Sequence, residues 1–215
     1  MKNLLIILLT LTLIISCSKP FTGKPFENKI QSIPGRIQCE FYDTGGEGIS
    51  YHDTDSVNNG SGRLNPANGS FYNEFRMNEG VDISYTKTNG TDDNPYNDVM
   101  PEMNQLYVGW TEPGEWICYS VDVNKAGKYK IGLMFTSNRG GEIEVVNERQ
   151  ESTGAMKVPS TYKDADTVAW RQWHHWNKLD SLGSITLKKG KQVITLKTMA
   201  SGNMNYDYLE FVPVK

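Results

Sequence analysis

The stretch WICYSVDVNKAGKYKIGLMF, from Trp116 to Phe135, decides the fold. Apolar and polar residues alternate on both sides of Ala126-Gly127, with the period of two that is typical of a half-buried β-strand. The residues predicted to face the core are Ile117, Tyr119, Val121 and Val123, followed by Tyr129, Ile131, Leu133 and Phe135. The stretch therefore predicts two β-strands that each bury one face.

The same period of two continues through most of the chain, and a helical stripe is not evident after the amino terminus. Turn-forming residues separate the predicted strands at Gly45-Gly46, Asn58-Asn59-Gly60, Pro113-Gly114, Gly140-Gly141 and Lys189-Gly190. Many short strands at this spacing predict an all-β fold, a β-sandwich or jelly roll of antiparallel sheets. The polar stretch from Thr86 to Asn104 is predicted to be a long loop, and long ordered loops are often functional.

The amino terminus predicts export and lipid attachment. After Lys2, residues 4–15 are apolar, a run that is shorter than a membrane span of about 20 residues and fits an export signal. The run leads into IISC, ending at Cys17, which resembles the bacterial lipobox, where the cysteine is lipidated. The expected organisation is a signal peptide over 1–17, a polar tether over 18–32 and a folded domain over 33–215. This predicts an outer-membrane lipoprotein of the bacterial cell envelope, anchored in the membrane by its lipid and facing either the periplasm or the cell surface.

Composition excludes some partners. About 180 residues remain after the signal and tether, enough for one domain with a substantial core. The formal net charge is -3, from 22 basic and 25 acidic residues that are interspersed along the chain. Because no extended basic stripe is present to follow a phosphate backbone, we do not expect nucleic acid as a partner.

The cysteines and histidines give little sign of metal chemistry. Cys39 and Cys118 lie in strand-like segments of an exported protein, and their spacing is compatible with a disulfide or with two buried thiols. His174 and His175 are adjacent, so on a strand they point to opposite faces and do not readily chelate one metal ion. With His52 as the third histidine, a transition-metal site is not expected.

Five segments carry a family resemblance: IQCEFYD from Ile37, FRMNEGVDI from Phe75, YVGWTEPGEWICYSVDV from Tyr107, AWRQW from Ala169 and NMNYDYLEF from Asn203. Their joint order resembles the family 6 carbohydrate-binding modules, over residues 33–212. The resemblance implies a two-sheet jelly roll with a structural calcium ion. It also implies a polysaccharide site, either in a loop cleft at one edge or on a sheet face.

The resemblance also implies roles for particular residues. The calcium ligands would be Gln38 and Glu40, two apart on the first strand, together with Asp207 on the last strand; their oxygen atoms suit this hard cation. In the loop cleft, Phe75 and Trp170 would clamp a sugar ring between two aromatic faces.

Asn205 would bind the hydroxyl groups of that ring, since a pyranose needs both a flat apolar surface and directional partners. Glu47, in the Gly-rich loop after the first strand, is a further candidate for binding hydroxyl groups. Two other aromatic side chains are assigned to core packing, Trp116 and Trp173.

Two functions from different classes follow. The first is noncatalytic binding of a polysaccharide or oligosaccharide at the cell envelope, in support of separate glycoside hydrolases. The alternative is a glycan-active enzyme, a hydrolase or lyase on the same scaffold, which for hydrolysis requires two converging carboxylates. Candidate acids for that reaction are Asp98, Glu102, Glu112 and Glu115. A protein partner is a third reading, because the fold alone does not fix function. The glycans compatible with an aromatic clamp are β-1,3-glucan, agarose-like galactans, xylan and mannan.

Overall fold

Two six-stranded β-sheets form the computed structural model, which describes residues 21–200 and 202–215. The first sheet has the order β1 (Gln31–Ile33), β8 (Trp116–Val123), β13 (Gly190–Ala200), β10 (Gly141–Asn147) and β11 (Met156–Val158), with β3 (Tyr51–His52) also on β8. The second has the order β12 (Asn177–Leu187), β9 (Gly127–Ser137), β14 (Met204–Pro213), β7 (Leu106–Val108) and β6 (Ile83–Tyr85), with β2 (Gly35–Gln38) also on β14. Within these sheets the pairings are antiparallel except that of β1 with β8. The predicted all-β sandwich is confirmed.

Short elements complete the described chain. They are β4 (Ser61–Gly62) paired with β5 (Asn65–Pro66), the helical turn α1 (Phe71–Glu74), and 3₁₀ turns at Phe26–Asn28, Cys39–Phe41 and Ala169–Trp173. In the part of the chain described here, no helix is long and apolar enough to cross a membrane.

The alternation between Trp116 and Phe135 produces the core. β8 belongs to one sheet and β9 to the other, so their apolar faces meet between the sheets. All eight residues predicted to face the core are at most 6% exposed. Burying an apolar side chain of this size contributes roughly 1.5–3 kcal/mol, so this pair of strands is a main source of stability.

The long loop between β6 and β7 covers the outer face of the second sheet. A second apolar cluster lies there, formed by Tyr107, Met134, Trp176 and Tyr208. The fully buried Asp92 joins the loop to this cluster by accepting a hydrogen bond of 2.7 Å from Trp176 Nε1. The stretch predicted as a long loop is therefore an ordered cover that packs on the sheet.

The folded domain begins earlier than predicted. The signal peptide, Cys17 and the first tether residues lie outside the described part of the chain. From Lys24, however, the chain is bound to the domain: Lys24 and Thr44 exchange two backbone hydrogen bonds, and the Phe26 ring stacks on Phe41 at 5.5 Å. The last tether residues form β1, which pairs with β8. The boundary predicted at 33 is wrong for this reason, and the domain starts near Lys24.

Candidate functional site

A cleft of about 450 Å³ opens at one edge of the sandwich. Its size falls within the range of about 300–1,000 Å³ that is usual for ligand pockets. It is lined by Leu64, Tyr107, Trp110, Trp170, Trp173, His174, Asn203 and Asn205. These residues come from the loop between β4 and β5, from β7 and the residues after it, from the 3₁₀ turn before β12, and from the start of β14. The lining is aromatic with a few amide groups, a composition that suits a sugar ring.

The 3₁₀ turn at Ala169–Trp173 brings two indole rings to the cleft. Side chains at positions i and i+3 of a 3₁₀ helix lie above one another, so Trp170 and Trp173 share one side of the turn. In a strand, the same spacing would send them to opposite faces. Trp170 remains 55% exposed and presents its ring to solvent.

An ion-pair network holds this turn in place. Arg171 donates to both carboxylate oxygens of Asp166, at 2.7 and 2.8 Å, and His175 Nε2 lies 2.8 Å from the same carboxylate. The Arg171 guanidinium holds the pKa of Asp166 below its usual range. Asn94, from the long loop, donates to the His174 carbonyl at 2.9 Å. The turn is therefore fixed from two sides.

Asn205 forms the floor of the cleft and has a fixed amide orientation. Its Nδ2 donates to the Trp173 carbonyl and to Thr136 Oγ1, both at 2.9 Å. Because a carbonyl oxygen only accepts, the amide nitrogen must face Trp173. Oδ1 is therefore the Asn205 atom left for a ligand. At Gly109 a Cβ would lie 2.8 Å from Oδ1, so a larger residue at 109 would crowd this atom.

Two cleft residues have left-handed backbone. Trp110 has φ 49° and Asn203 has φ 60°. Asn tolerates this region, but a bulky aromatic residue there is an outlier that costs on the order of 1–3 kcal/mol. The surrounding structure therefore holds Trp110 in a conformation that its sequence does not favour, and such residues cluster at binding sites.

A set of buried oxygen atoms lies where β2 meets β14, apart from the cleft. Gln38 pairs with Tyr208, and Asp207 is the extra residue at the register shift between Tyr206 and Tyr208. Three buried atoms here have no hydrogen-bond partner among the described residues: Gln38 Oε1, Glu40 Oε2 and Asp207 Oδ1.

The electrostatics of this set follow from burial. Burial raises the pKa of Glu40 well above its usual range, and the Asp207 charge adds to the effect. Burial also raises the pKa of Asp207 to about 7, with a contribution from Glu102. Two carboxylates are thus buried together with unpaired oxygen atoms.

An acidic cluster shares a small cavity with Gly109 and Thr111, the neighbours of Trp110. Its members are Asp53, Asp82 and Glu115. Burial raises the pKa of Asp53 to about 7, with Glu115 adding to the effect, and burial raises the pKa of Asp82 to about 6.

Comparison with protein families gives a match to the carbohydrate-binding module (family 6) over residues 74–213. The chain belongs to this family. Membership of this family assigns carbohydrate binding to the chain. A comparison with curated proteins gave no match.

Solved structures are similar to this family 6 module in fold. One is a glycoside hydrolase family 43 arabinoxylan arabinofuranohydrolase from Bacillus subtilis in complex with cellotetraose, with TM-score 0.51 and 15% identity. The match covers 86% of this chain but only 28% of that enzyme. Another is a family 6 module from Clostridium stercorarium in complex with cellobiose, with TM-score 0.50 and 15% identity, covering 86% of this chain and 98% of that one. A β-1,3-glucan-binding module from Bacillus halodurans has TM-score 0.49 and 18% identity over 85% of this chain and 98% of its own.

The cleft contains two of the residues predicted for sugar binding, Trp170 and Asn205. Trp173, which was assigned to packing, lines the cleft as well, and that assignment is wrong because AWRQW forms a 3₁₀ turn and not a strand. Trp110 and His174 were not predicted as cleft residues. A Trp-x-x-Trp spacing and the pair Gly109-Trp110 are the signals in the sequence that could have indicated the aromatic lining.

Phe75 does not line the cleft, which corrects its assignment as a stacking face. It is only 5% exposed and packs against the rings of Phe26, Phe41 and Phe71 at 5.2–5.9 Å. The physical reason is that Phe26, from the expected tether, folds back and completes an aromatic cluster around it.

Glu47 also lies outside the cleft. Its carboxylate is 2.5 Å from His52 Nδ1 and accepts a hydrogen bond of 3.0 Å from the Asp53 backbone. It therefore stabilises its own loop, and its predicted contact with sugar hydroxyl groups is not supported by its position.

The candidate catalytic acids each have a separate partner. Asp98 pairs with Lys163 at 2.7 Å, Glu102 lies 3.7 Å from Arg36, Glu115 accepts from Thr54 at 2.7 Å, and Glu112 accepts from Asn203 at 3.5 Å. Each carboxylate is engaged in its own contact, and none of the four lines the cleft among the described residues.

Proposed function

We propose that this protein is a noncatalytic carbohydrate-binding protein that captures a polysaccharide or oligosaccharide through the edge cleft. One observation carries the proposal. The Trp170 ring is 55% exposed and lies in the same cleft as Asn205 Oδ1, the amide atom that the protein's own hydrogen bonds leave for a ligand. The exposed ring suits the C–H face of a sugar, and the amide oxygen suits one of its hydroxyl groups.

The other cleft residues support this arrangement. Trp110 and Trp173 add aromatic surface beside Trp170. Because the turn that carries Trp170 is fixed by Asp166 and Asn94, little ordering is required when the ligand arrives. A sugar ring would therefore meet a preformed platform.

The chemistry of the lining favours binding over hydrolysis. Glycoside hydrolysis generally uses two carboxylates that flank the scissile bond. The eight residues that line the cleft, all within the described part of the chain, include no Asp or Glu. The acidic cluster of Asp53, Asp82 and Glu115 lines a separate, smaller cavity and not the cleft that holds Trp170.

We propose further that Gln38, Glu40 and Asp207 hold a structural calcium ion. The fit rests on their three buried oxygen atoms, which lack a hydrogen-bond partner among the described residues and are costly to leave unpaired. Among the described residues, no group of three or more His, Cys, Asp or Glu side chains is arranged to hold a metal ion. The set proposed for calcium is of a different kind, because it combines two carboxylates with one amide. Calcium binds such oxygen donors and would neutralise the two buried charges. It would also tie the first strands to the last one.

The location stays a proposal. Cys17 and the apolar run before it lie outside the described residues, and we propose that they attach the module to the bacterial envelope as an outer-membrane lipoprotein. In that setting the module would hold glycan near separate glycoside hydrolases. Metabolic labelling with a radioactive fatty acid should mark the wild-type protein but not its Cys17→Ser variant.

The function is tested by electrophoresis in native gels that contain one soluble polysaccharide each. The panel includes β-1,3-glucan, a cellulose derivative, xylan, mannan and an agarose-like galactan. Selective retardation without a change in polymer length is the expected result. Retardation by none of them, or the appearance of shortened products, would overturn the proposal in favour of a protein partner or an enzyme, respectively.

A matched pair of variants localises the site. Trp170→Ala should strongly reduce the retardation. Phe71→Ala removes a ring of similar exposure, 57%, that does not line the cleft, and should leave the retardation unchanged.

A further inference from the structure

His174 lines the cleft and is held from behind by a buried carboxylate. Its Nδ1 lies 2.9 Å from Oδ1 of Asp92, which is fully buried. Its ring packs edge-on against Trp170, with ring centres 5.7 Å apart and an interplanar angle of 76°. The imidazole is therefore a fixed part of the wall beside the exposed indole.

The surroundings of Asp92 determine which ring nitrogen of His174 carries the hydrogen. Asp92 also accepts hydrogen bonds from the Lys87 backbone and from Trp176 Nε1, both at 2.7 Å. An ionised carboxylate only accepts, so Nδ1 of His174 must donate to it. In the neutral ring, Nε2 is then a hydrogen-bond acceptor. Nε2 has no hydrogen-bond partner within residues 21–200 and 202–215, and the side chain keeps 19% exposure.

The cleft consequently offers two acceptors from different parts of the chain. One is Nε2 of His174, and the other is Oδ1 of Asn205, whose two amide hydrogens are used by Trp173 and Thr136. A ligand matched to this pair must donate hydrogen bonds from hydroxyl groups. A carboxylate or sulfate group on the sugar only accepts, so at that position it would face acceptors.

We propose that His174 is a specificity-determining residue, whose Nε2 accepts a hydrogen bond from a hydroxyl group of a neutral sugar ring stacked on Trp170. This inference rests on the proposed function and deepens it. It assigns a neutral, hydroxyl-donating sugar unit to the cleft.

The test is isothermal titration calorimetry of the purified full-length protein at pH 7.5. The probes are the neutral tetrasaccharides cellotetraose, laminaritetraose, xylotetraose and mannotetraose, with tetragalacturonate as the acidic probe. Tetragalacturonate should bind less tightly than a neutral tetrasaccharide that binds.

His174→Asn is the decisive variant. Its amide nitrogen can replace Nδ1 and keep the bond to Asp92, but no atom replaces Nε2. Its Kd for the neutral tetrasaccharide should be about three- to tenfold higher than that of the wild type, as expected for one lost hydrogen bond. Trp170→Ala should raise Kd about 15-fold. Long-range ¹⁵N–¹H correlation spectra of the wild type should place the hydrogen of neutral His174 on Nδ1, a readout that does not need the variant.

The outcomes separate the two proposals. Wild-type affinity in His174→Asn, binding of tetragalacturonate as tight as that of the neutral probe, or a hydrogen on Nε2 of the neutral ring would overturn the role of His174. Binding that depends on Trp170 would still support the proposed function. Binding of none of the neutral tetrasaccharides would overturn both.

Discussion

Replacing Trp170 and Phe75 by alanine should have opposite effects on binding and stability. Trp170 is 55% exposed, and a large aromatic side chain presents about 250 Å² at most, which leaves about 140 Å² accessible. A sugar that covers one face would remove about 70 Å² from water, worth about 1.7 kcal/mol at ~25 cal/mol per Å². Trp170→Ala should therefore raise Kd about 15-fold and change the free energy of unfolding little.

Phe75→Ala should do the reverse. The ring is 5% exposed and contacts Phe26, Phe41 and Phe71, so its loss leaves a cavity and should cost about 3–5 kcal/mol of folding free energy. For a domain of this size, that corresponds to a decrease in Tm of roughly 6–20 °C. Below Tm, Kd for the glycan should stay within about twofold of the wild-type value, which corresponds to less than about 0.5 kcal/mol.

The assay pairs calorimetric titration of the glycan with thermal denaturation followed by circular dichroism. Phe71→Ala is the control, because Phe71 is 57% exposed, close to the 55% of Trp170, but does not line the cleft. Loss of glycan binding in Phe75→Ala at unchanged Tm would refute the placement of Phe75 in the core. Unchanged Kd in Trp170→Ala would refute the cleft.

Three further predictions concern stability and reactivity. Removing calcium with a chelator should lower Tm, because a ligand of the folded state at 100 times its Kd contributes about 2.7 kcal/mol. Scanning calorimetry should show that the chelator lowers the Tm of the wild type but not that of Asp207→Asn. Equal decreases in Tm for the two proteins would contradict the site. In chelator, urea denaturation should show that the free energy of unfolding falls as the pH rises from about 4 to about 7. Burial raises the pKa of Asp53 and of Asp207 to about 7 and that of Asp82 to about 6, so the folded state holds protons that the unfolded state has released. Asp53→Asn should reduce this slope, and an identical slope would exclude Asp53 as one of its sources. Cys39 and Cys118 are both free and buried, and burial raises the pKa of each thiol. A thiol reagent should therefore label them slowly in the native protein and rapidly in urea. Fast labelling of the native protein would contradict their burial.

The sheets were predictable from sequence because their signal is local. The alternation at Ile117–Val123 and Tyr129–Phe135 fixes which side chains point inward, whatever the partners are. The same applies to Asn205, since the Asn-x-Asp pattern of the last strand positions its amide. Cys39 and Cys118, left open by the sequence as a disulfide or two thiols, are separate thiols.

The cleft walls were harder to predict because they depend on turn type and on distant contacts. AWRQW has apolar residues that suit either a strand or a 3₁₀ turn, and the choice is made by Asp166, which accepts from Arg171 and from the Val168 backbone. Phe75 is buried only because Phe26 returns from a segment that reads as a tether. His174 gains its place through Asp92, 82 residues earlier in the chain.

The two amide hydrogens of Asn205, both used inside the protein, have a consequence for chemically modified glycans. A sugar whose contacting hydroxyl is converted to a methyl ether has no hydrogen to offer Oδ1, and Asn205 cannot turn its amide to donate instead without breaking its bonds to Trp173 and Thr136. An acceptor left unpaired in this way costs about 1–3 kcal/mol. We therefore expect the cleft to distinguish native polysaccharides from their O-methylated forms, a difference that the shape of the aromatic platform alone would not impose.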